Sequence, residues 1–230
     1  MQPKTTLQNE MGINGSVVIQ SKSITIQPVK FQVATFKLIG APDVPLVIHR
    51  FSSKLKNEMR QKMETGKAAS SKKNRAAKDM NAAFEEARYR SREGWDGFHA
   101  AGLRKGLISA CRLVGFKMVL AKLSIFVQKD GVDATEPQIP LVRIYGEAVK
   151  QEDMARVETG QPYVTVRAAY INWYASPLIR WDADQFTLED VTNLVSRVGQ
   201  QVGIGEGRPD SKNSAGMDWG LFNIERSESQ

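Results

Sequence analysis

Side chains that could do chemistry are few in this sequence, and none stands in a catalytic arrangement. The chain has two histidines, His49 and His99, and a single cysteine, Cys111. Each histidine has apolar neighbours, as structural histidines often do, and Cys111 falls in the apolar part of a predicted helix, where a buried, inert thiol is expected. Because a structural zinc site mostly needs four Cys or His ligands, we expect neither a metal nor a cofactor.

Two further carboxylates, Asp182 and Asp184, have the spacing of a divalent-ion site or of a turn before a helix. A two-metal nuclease needs more ligands than the sequence offers, so the turn is the expected role. We therefore predict that the protein is not an enzyme. The alternative is a nuclease that depends on a metal or on a histidine, with His49 beside Arg50 as the candidate.

Positive charge is concentrated in one stretch of the chain. Between Arg50 and Arg92 there are thirteen Lys and Arg against five Asp and Glu, a local net charge of +8, whereas the rest has nineteen against twenty. Such a stretch indicates a polyanionic partner, most often nucleic acid, although a solvated helix face is the alternative. Phe84, Tyr89 and Trp95 lie in or beside it, and rings combined with cations suit single-strand binding.

A second candidate is a glycine-rich segment near the C-terminal end. Its glycines are Gly203, Gly205, Gly207, Gly216 and Gly220. In a dinucleotide-binding site a strand comes first, then the sequence G-x-G-x-x-G, then a helix, whereas here a predicted helix precedes the loop. The chain also has no Gly-Lys-Ser or Gly-Lys-Thr, which a phosphate-binding loop of the P-loop type requires. The glycines predict one of two structures. The first is a backbone surface on which a sugar-phosphate chain lies, with Arg208 and Lys212 supplying charge and Trp219 stacking on a base. The second is a flexible connector.

Hydrophobic patterning predicts the elements that position these residues. Period-two alternation predicts strands over 17–39, with a bulge near Ala34–Thr35, and over 120–127, 141–149, 163–166, 170–181 and 220–226, with a bend or edge at Pro177. Helical spacing predicts helices over 52–64, 100–113 and 187–202, the last with a capping box and a terminal Gly203. Residues 82–89 fit helix or strand. This mixture predicts the α+β class.

The organisation predicted is a flexible tail over 1–14 and a single α+β domain over 15–230. A mobile basic insertion is expected around 65–80, because that segment has almost no large apolar side chain. No run approaches 18 apolar residues, so we expect no membrane association. A single cysteine suits a reducing compartment, which predicts a cytoplasmic protein.

The helix, the glycine-rich loop and the glycine–aromatic final strand resemble the C-terminal signature of the RAMP superfamily, the RNA-recognition-motif-like proteins of CRISPR effector complexes. The resemblance is carried by the five glycines and covers about the last 45 residues. It implies a ferredoxin-like or RRM-like antiparallel sheet with helices on one face and a basic insertion. It further implies single-strand binding and side-by-side oligomerisation along the strand.

The chain also looks like small uncharacterised bacteriophage proteins over most of its length. The stretches that carry this likeness are 45–52, 109–112 and 202–209. The likeness implies no function, but a phage-encoded protein would act in the cytoplasm of its bacterial host.

These patterns together predict a sequence-tolerant protein that binds single-stranded DNA or RNA and self-associates into an oligomer or filament. The residues expected to contact nucleic acid are Lys54, Lys72, Lys73, Arg75, Lys78, Arg88, Arg90, Arg92, Trp95, Gly203, Gly205, Gly207, Arg208, Lys212 and Trp219. The alternative is a structural or assembly protein of a phage or of a protein complex, in which the basic insertion binds a neighbouring subunit.

Overall fold

A computed structural model describes residues 27–51, 53–66, 79–156, 162–211 and 217–225. Its helices are α1 (Ser53–Thr65), α2 (Met80–Ala87), α3 (Ala100–Leu113), α4 (Met118–Ser124) and α5 (Leu188–Arg197), and a π-helical turn (Val198–Val202) follows α5. The predicted tail, the strand pattern over 17–26 and most of the predicted insertion, 67–78, lie outside the described residues.

Thirteen strands are present among the described residues. They are β1 (Phe31–Thr35), β2 (Leu38–Gly40), β3 (Leu46–Ile48), β4 (Tyr89–Arg90), β5 (Asp96–His99), β6 (Ile125–Val127), β7 (Gly131–Val132), β8 (Pro140–Arg143), β9 (Ala148–Arg156), β10 (Pro162–Tyr170), β11 (Tyr174–Ala175), β12 (Leu178–Asp182) and β13 (Phe222–Ile224). All pairings within this part of the chain are antiparallel. Helices and antiparallel sheets in one chain confirm the α+β class.

The strands form four small sheets rather than one large one. Their orders are β1-β12-β6, β3-β10-β9, β11-β2-β13 and β4-β5-β8-β7. Strands far apart in sequence are therefore neighbours, as where β12 lies between β1 and β6. Side chains from distant segments therefore share one sheet face.

The core is organised around α3, whose residue range agrees with the prediction. Its buried face includes Leu103, Leu107 and Cys111, and the helix packs against β6, α4, α5 and the π-helical turn. Trp173 and Trp181 are the largest fully buried side chains. Removing this much aromatic and aliphatic surface from water supplies the main driving force for folding.

The predicted capping box at the start of α5 is confirmed. Thr187 Oγ1 accepts from the Asp190 amide, and the Asp190 carboxylate accepts from the Thr187 amide at 2.9 Å. The Thr187 hydroxyl also donates to the Asp190 carboxylate at 2.7 Å, and this hydrogen bond, together with the one from the Thr187 amide, lowers the pKa of Asp190. The α-helix continues into the π-helical turn, in which Gly199 lies against Phe222. A Cβ on Gly199 would overlap the Phe222 carbonyl, so this position requires glycine. Gly203 then ends the π-helical turn with φ of 71°.

The prediction of a strand over 120–127 is wrong in its first half, which forms α4. Ala121 and Ser124 are buried three residues apart, whereas Val119 and Leu123 are exposed. Small residues at helical spacing let α4 lie close to α3, and only Ile125–Val127 continues as a strand. Among the described residues, no helix has the length and apolar character needed to cross a membrane.

Candidate nucleic-acid interface

Arg88, one of the residues predicted to contact nucleic acid, is hydrogen-bonded to acidic side chains of the protein itself. It follows α2, where its Nη2 donates to Asp96 Oδ2 at 2.6 Å and its Nη1 to Glu85 Oε1 at 3.1 Å. Burial alone would lower the pKa of Arg88, but the hydrogen bond and charge of Asp96 raise it. Asp96 also accepts from the buried Tyr170 hydroxyl at 3.0 Å. Arg88 is thus part of an internal polar network.

The neighbouring predicted arginines are more accessible. Arg90 lies 3.1 Å from Glu85 and 3.7 Å from Asp96, with about half of its side chain exposed. Arg92 is exposed in the turn after β4, with no ion pair to another described residue. Of the remaining predicted cations, Lys54 lies in α1 with its side chain undescribed, and Lys72, Lys73, Arg75, Lys78 and Lys212 lie outside the described residues.

The predicted stacking residue Trp95 covers two glycines. A Cβ on Gly131 would lie 2.7 Å from the Trp95 ring, and one on Gly97 would lie 3.1 Å from it. Trp95 Nε1 donates to Glu93 Oε2 at 2.9 Å. The ring therefore packs across the β4-β5-β8-β7 sheet, and only its remaining surface is accessible.

The loop glycines fit against the protein itself. Gly205 and Gly207 have φ of 79° and 74°, which favours glycine. A Cβ on Gly205 would lie 2.5 Å from the Val47 carbonyl, and one on Gly207 would overlap the Trp219 ring. Both glycines are therefore required by close approach within the protein itself, and their predicted contact with a sugar-phosphate chain stays a prediction.

The loop is also bound to its surroundings by backbone hydrogen bonds. Glu206 N donates to Val47 O at 2.8 Å, and Gly220 N donates to Pro45 O at 2.9 Å. Arg208 Nη1 turns back onto the Gly205 carbonyl at 2.9 Å. Gly203 is enclosed by Arg208 and Pro209. The described part of the loop, which follows the π-helical turn, is thus hydrogen-bonded to β3 and to the residue before it.

An aromatic and cationic face that the sequence patterns did not predict lies on the β1-β12-β6 sheet. Val33, Arg180 and Phe126 stand side by side in register, and Phe31 lies edge-on to Phe126 with ring centroids 5.9 Å apart. The Arg180 guanidinium lies 4.4 Å from the Phe31 centroid and 4.9 Å from that of Phe126. We call this surface, with the Arg104 guanidinium, the open sheet face.

Strand alternation explains why these side chains point outward. Ile179, Trp181 and Ile125 are buried on the core side, so Arg180 and Phe126 must occupy the other face. Phe31 is 44% exposed and Val33 is 48% exposed. Large apolar side chains left open beside arginine distinguish this face from an ordinary solvated sheet.

Arg104 joins this face from α3. Its guanidinium lies 4.6 Å from the Phe126 centroid, and it donates to the carbonyls of Ile125 and Lys122. Within the described ranges, neither Arg104 nor Arg180 forms an ion pair with a carboxylate. Both guanidinium groups therefore contact ring faces, and that of Arg104 also contacts carbonyls. The carboxylate nearest in register is Asp182, which lies opposite Phe31 on the same face.

The residues considered for catalysis or metal binding have structural surroundings. Burial raises the pKa of the Cys111 thiol to about 11, which disfavours a reactive thiolate. Asp182 Oδ1 accepts from the Asp184 amide at 3.0 Å and so forms the predicted turn. In the part of the chain that the structure describes, no three His, Cys, Asp or Glu side chains group as a metal site would.

Comparisons with known proteins assign no family to this chain: no family model and no curated protein matches it.

Proposed function

We propose that this protein binds single-stranded nucleic acid with little sequence preference, using the open sheet face as a stacking platform. The observation that carries the proposal is the pair of Phe31 and Phe126 rings, which share the Arg180 guanidinium. Arg180 forms no ion pair with another described residue, although Asp182 lies opposite Phe31 on the same face. Every nucleobase has a ring face, so such a platform binds strands without reading their sequence.

Arg104 and Arg180 neutralise phosphates of the strand whose bases stack on Phe31 and Phe126. The basic stretch between Arg50 and Arg92 supports the same proposal by attracting the strand from a distance, without contacting its phosphates. Its net charge of +8 raises the local concentration of a polyanion. We propose binding without catalysis, with side-by-side association of subunits along the strand. The ferredoxin-like arrangement implied by the resemblance to RAMP proteins remains a prediction, and strand binding at the open sheet face does not depend on it.

Replacing Phe31 with alanine tests this function. Loss of one stacked base should weaken binding of a single-stranded oligonucleotide about tenfold, measured by fluorescence anisotropy. Tyr163→Ala is the matched control, because Tyr163 is similarly exposed at 48% but lies on β10. Equal affinities for the native protein and Phe31→Ala would contradict the proposal.

A second candidate function, a structural or assembly protein, is favoured by one observation on α4. Val119 and Leu123 are 69% and 67% exposed, and Met118 and Leu120 are also accessible. Apolar groups of this kind mark protein-contact surfaces. This function predicts a mass that rises with protein concentration in the absence of nucleic acid and is reduced by Leu123→Lys. Copurified nucleic acid, seen as a 260/280 absorbance ratio that falls after a high-salt wash, would favour the first function.

A further inference from the structure

A long strand edge lies on the sheet formed by β3, β10 and β9. β9 is at the edge of this sheet, and all nine of its residues pair with β10 in regular register. The other edge strands of the described sheets have five residues or fewer. Among the described residues, no backbone group of β9 is hydrogen-bonded outside this sheet. One side of β9 therefore presents amide and carbonyl groups that can pair with another strand.

The features that commonly prevent pairing at a strand edge are missing from β9. It contains no proline, no glycine and no bulge. α2 packs on β10, and its contact with β9 includes a hydrogen bond from Lys150 Nζ to Asn81 Oδ1 at 3.2 Å. Two apolar side chains of the edge strand are open, since Val149 is 51% exposed and Met154 is 74% exposed. Apolar side chains on an open edge favour contact with a partner strand.

The charges of β9 fit a second copy of the same strand. Lys150 and Glu152 lie on one face, with Nζ and Oε1 3.1 Å apart. In an antiparallel pair with a two-fold axis through Gln151, Lys150 of each copy lies opposite Glu152 of the other. The same axis brings Met154 of each copy opposite Ala148 of the other. The strand is thus complementary to itself in charge and in apolar contact.

Other registers of the same pairing are less favourable. An axis through Lys150, Glu152 or Asp153 would place two copies of that charged residue opposite each other, and like charges in this position are destabilising. The remaining axes within β9 pair fewer residues of each copy than the axis through Gln151, which pairs residues 148–154. The sequence of the strand therefore selects one register.

We propose that this edge is a homodimer interface, in which β9 of two copies pairs around Gln151 and joins two sheets into one. The interface goes beyond the proposed strand binding and does not depend on it, because β9 is not in the sheet that carries the open sheet face. A two-fold pair is complete at two copies, which distinguishes it from association of subunits along a strand.

The test is sedimentation equilibrium of the full chain without nucleic acid, from about 1 to about 100 µM. We expect the mass to rise with concentration toward twice that of one chain, because dimerisation follows mass action. A mass of one chain at every concentration would overturn the proposal.

Charge reversal assigns the dimer to this edge and to this register. Lys150→Glu should weaken dimerisation at least about tenfold, because it sets like charges opposite each other on both sides of the axis. The double variant Lys150→Glu/Glu152→Lys restores both opposite-charge pairs and should dimerise as the native protein does. Lys129→Glu, the same change at an exposed position outside β9, is the control. Native dimerisation in Lys150→Glu would overturn the proposal.

A mixture of two single variants gives a stricter test. Lys150→Glu places two acidic residues on the paired face, and Glu152→Lys places two lysines there. Each variant alone opposes like charges, whereas a mixed pair opposes only unlike ones. The mixture should therefore dimerise at least about tenfold more tightly than either variant alone. A mixture that is no more dimeric than its components would contradict the register.

Two further variants separate this interface from the surfaces considered above. Leu123→Lys on α4 and Phe31→Ala on the open sheet face should both dimerise as the native protein does. A dimer lost in Leu123→Lys and kept in Lys150→Glu would overturn the proposal and place the contact on α4. Because Phe31→Ala should lose strand affinity and still dimerise, failure of the proposed strand binding and failure of this interface give different results.

Discussion

The two arginine-bearing surfaces of this protein differ in what their guanidinium groups contact. The acid-paired arginines, Arg88 and Arg90, lie against Glu85 and Asp96. The stacked arginines of the open sheet face lie over phenylalanine rings and have no ion pair among the described residues. An arginine in the basic stretch is therefore not necessarily available to bind a partner, because it can already be paired with an acidic side chain of the folded protein.

The aromatic residues show the same difference. Trp95 and Trp219 pack on glycines of the fold and stabilise loops and sheet edges. Phe31, by contrast, lies on an exposed sheet surface beside Phe126. The tryptophans suggested by the sequence thus make contacts within the fold, and the more open rings belong to segments outside the stretch between Arg50 and Arg92.

The largest effect should follow from Gly207→Val in the glycine-rich loop. Valine at φ of 74° is strained, and its side chain would overlap the Trp219 ring. We expect the free energy of unfolding to fall by about 4 kcal/mol, from strain and overpacking together. Urea denaturation measures this change, with Gly102→Ala in an open helical position as the control. Weaker strand binding at unchanged stability would instead show that the loop contacts the ligand.

Arg88→Ala should have the next largest effect, again on stability. The variant leaves the Asp96 carboxylate, which is only 8% exposed, without its closest cation. Breaking a buried pair in this way costs about 3 kcal/mol of unfolding free energy. Arg92→Ala, at an exposed position with no described ion pair, should change stability by no more than about 0.5 kcal/mol. Equal stability of the two variants would remove the distinction between paired and open arginines.

A smaller and pH-dependent effect is expected from Glu206→Gln. The native Glu206 has a pKa lowered from 4.5 to about 2, so it stabilises the fold above pH 4.5 and this stabilisation disappears as the pH falls toward 2. The variant should be less stable than the native protein at pH 7, and the difference should shrink on acidification through this range. Melting temperatures at several pH values measure it, and a difference independent of pH would contradict the ion pairs of Glu206 with Arg167 and His49.

Elements with their own amphipathic pattern could be predicted from the sequence. The apolar stripes of α3 and α5 and the capping box of α5 are local features, so the positions of these helices followed from spacing alone. The run that begins α4 could not be assigned in this way, because short apolar runs fit helix and strand equally well.

The open sheet face could not be predicted because it depends on long-range register. Val33, Arg180 and Phe126 come from three distant segments and meet only when β12 inserts between β1 and β6. Period-two alternation indicated which residues of each strand share a face, but not which strands pair. The neutralisation of Arg88 by Asp96 likewise depends on packing that composition does not reveal.

The most direct test of the central claim is the salt dependence of single-strand binding. We compare the native protein with the double variants Arg104→Ala/Arg180→Ala and Arg90→Ala/Arg92→Ala, which remove equal charge from the two surfaces. On a single strand, the slope of log affinity against log salt falls by about 0.7 for each phosphate that the protein no longer neutralises. Strand binding at the open sheet face predicts a slope reduced by about 1.4 in the first variant and nearly native in the second. A reduced slope only in Arg90→Ala/Arg92→Ala would contradict this claim and place the strand on the basic stretch.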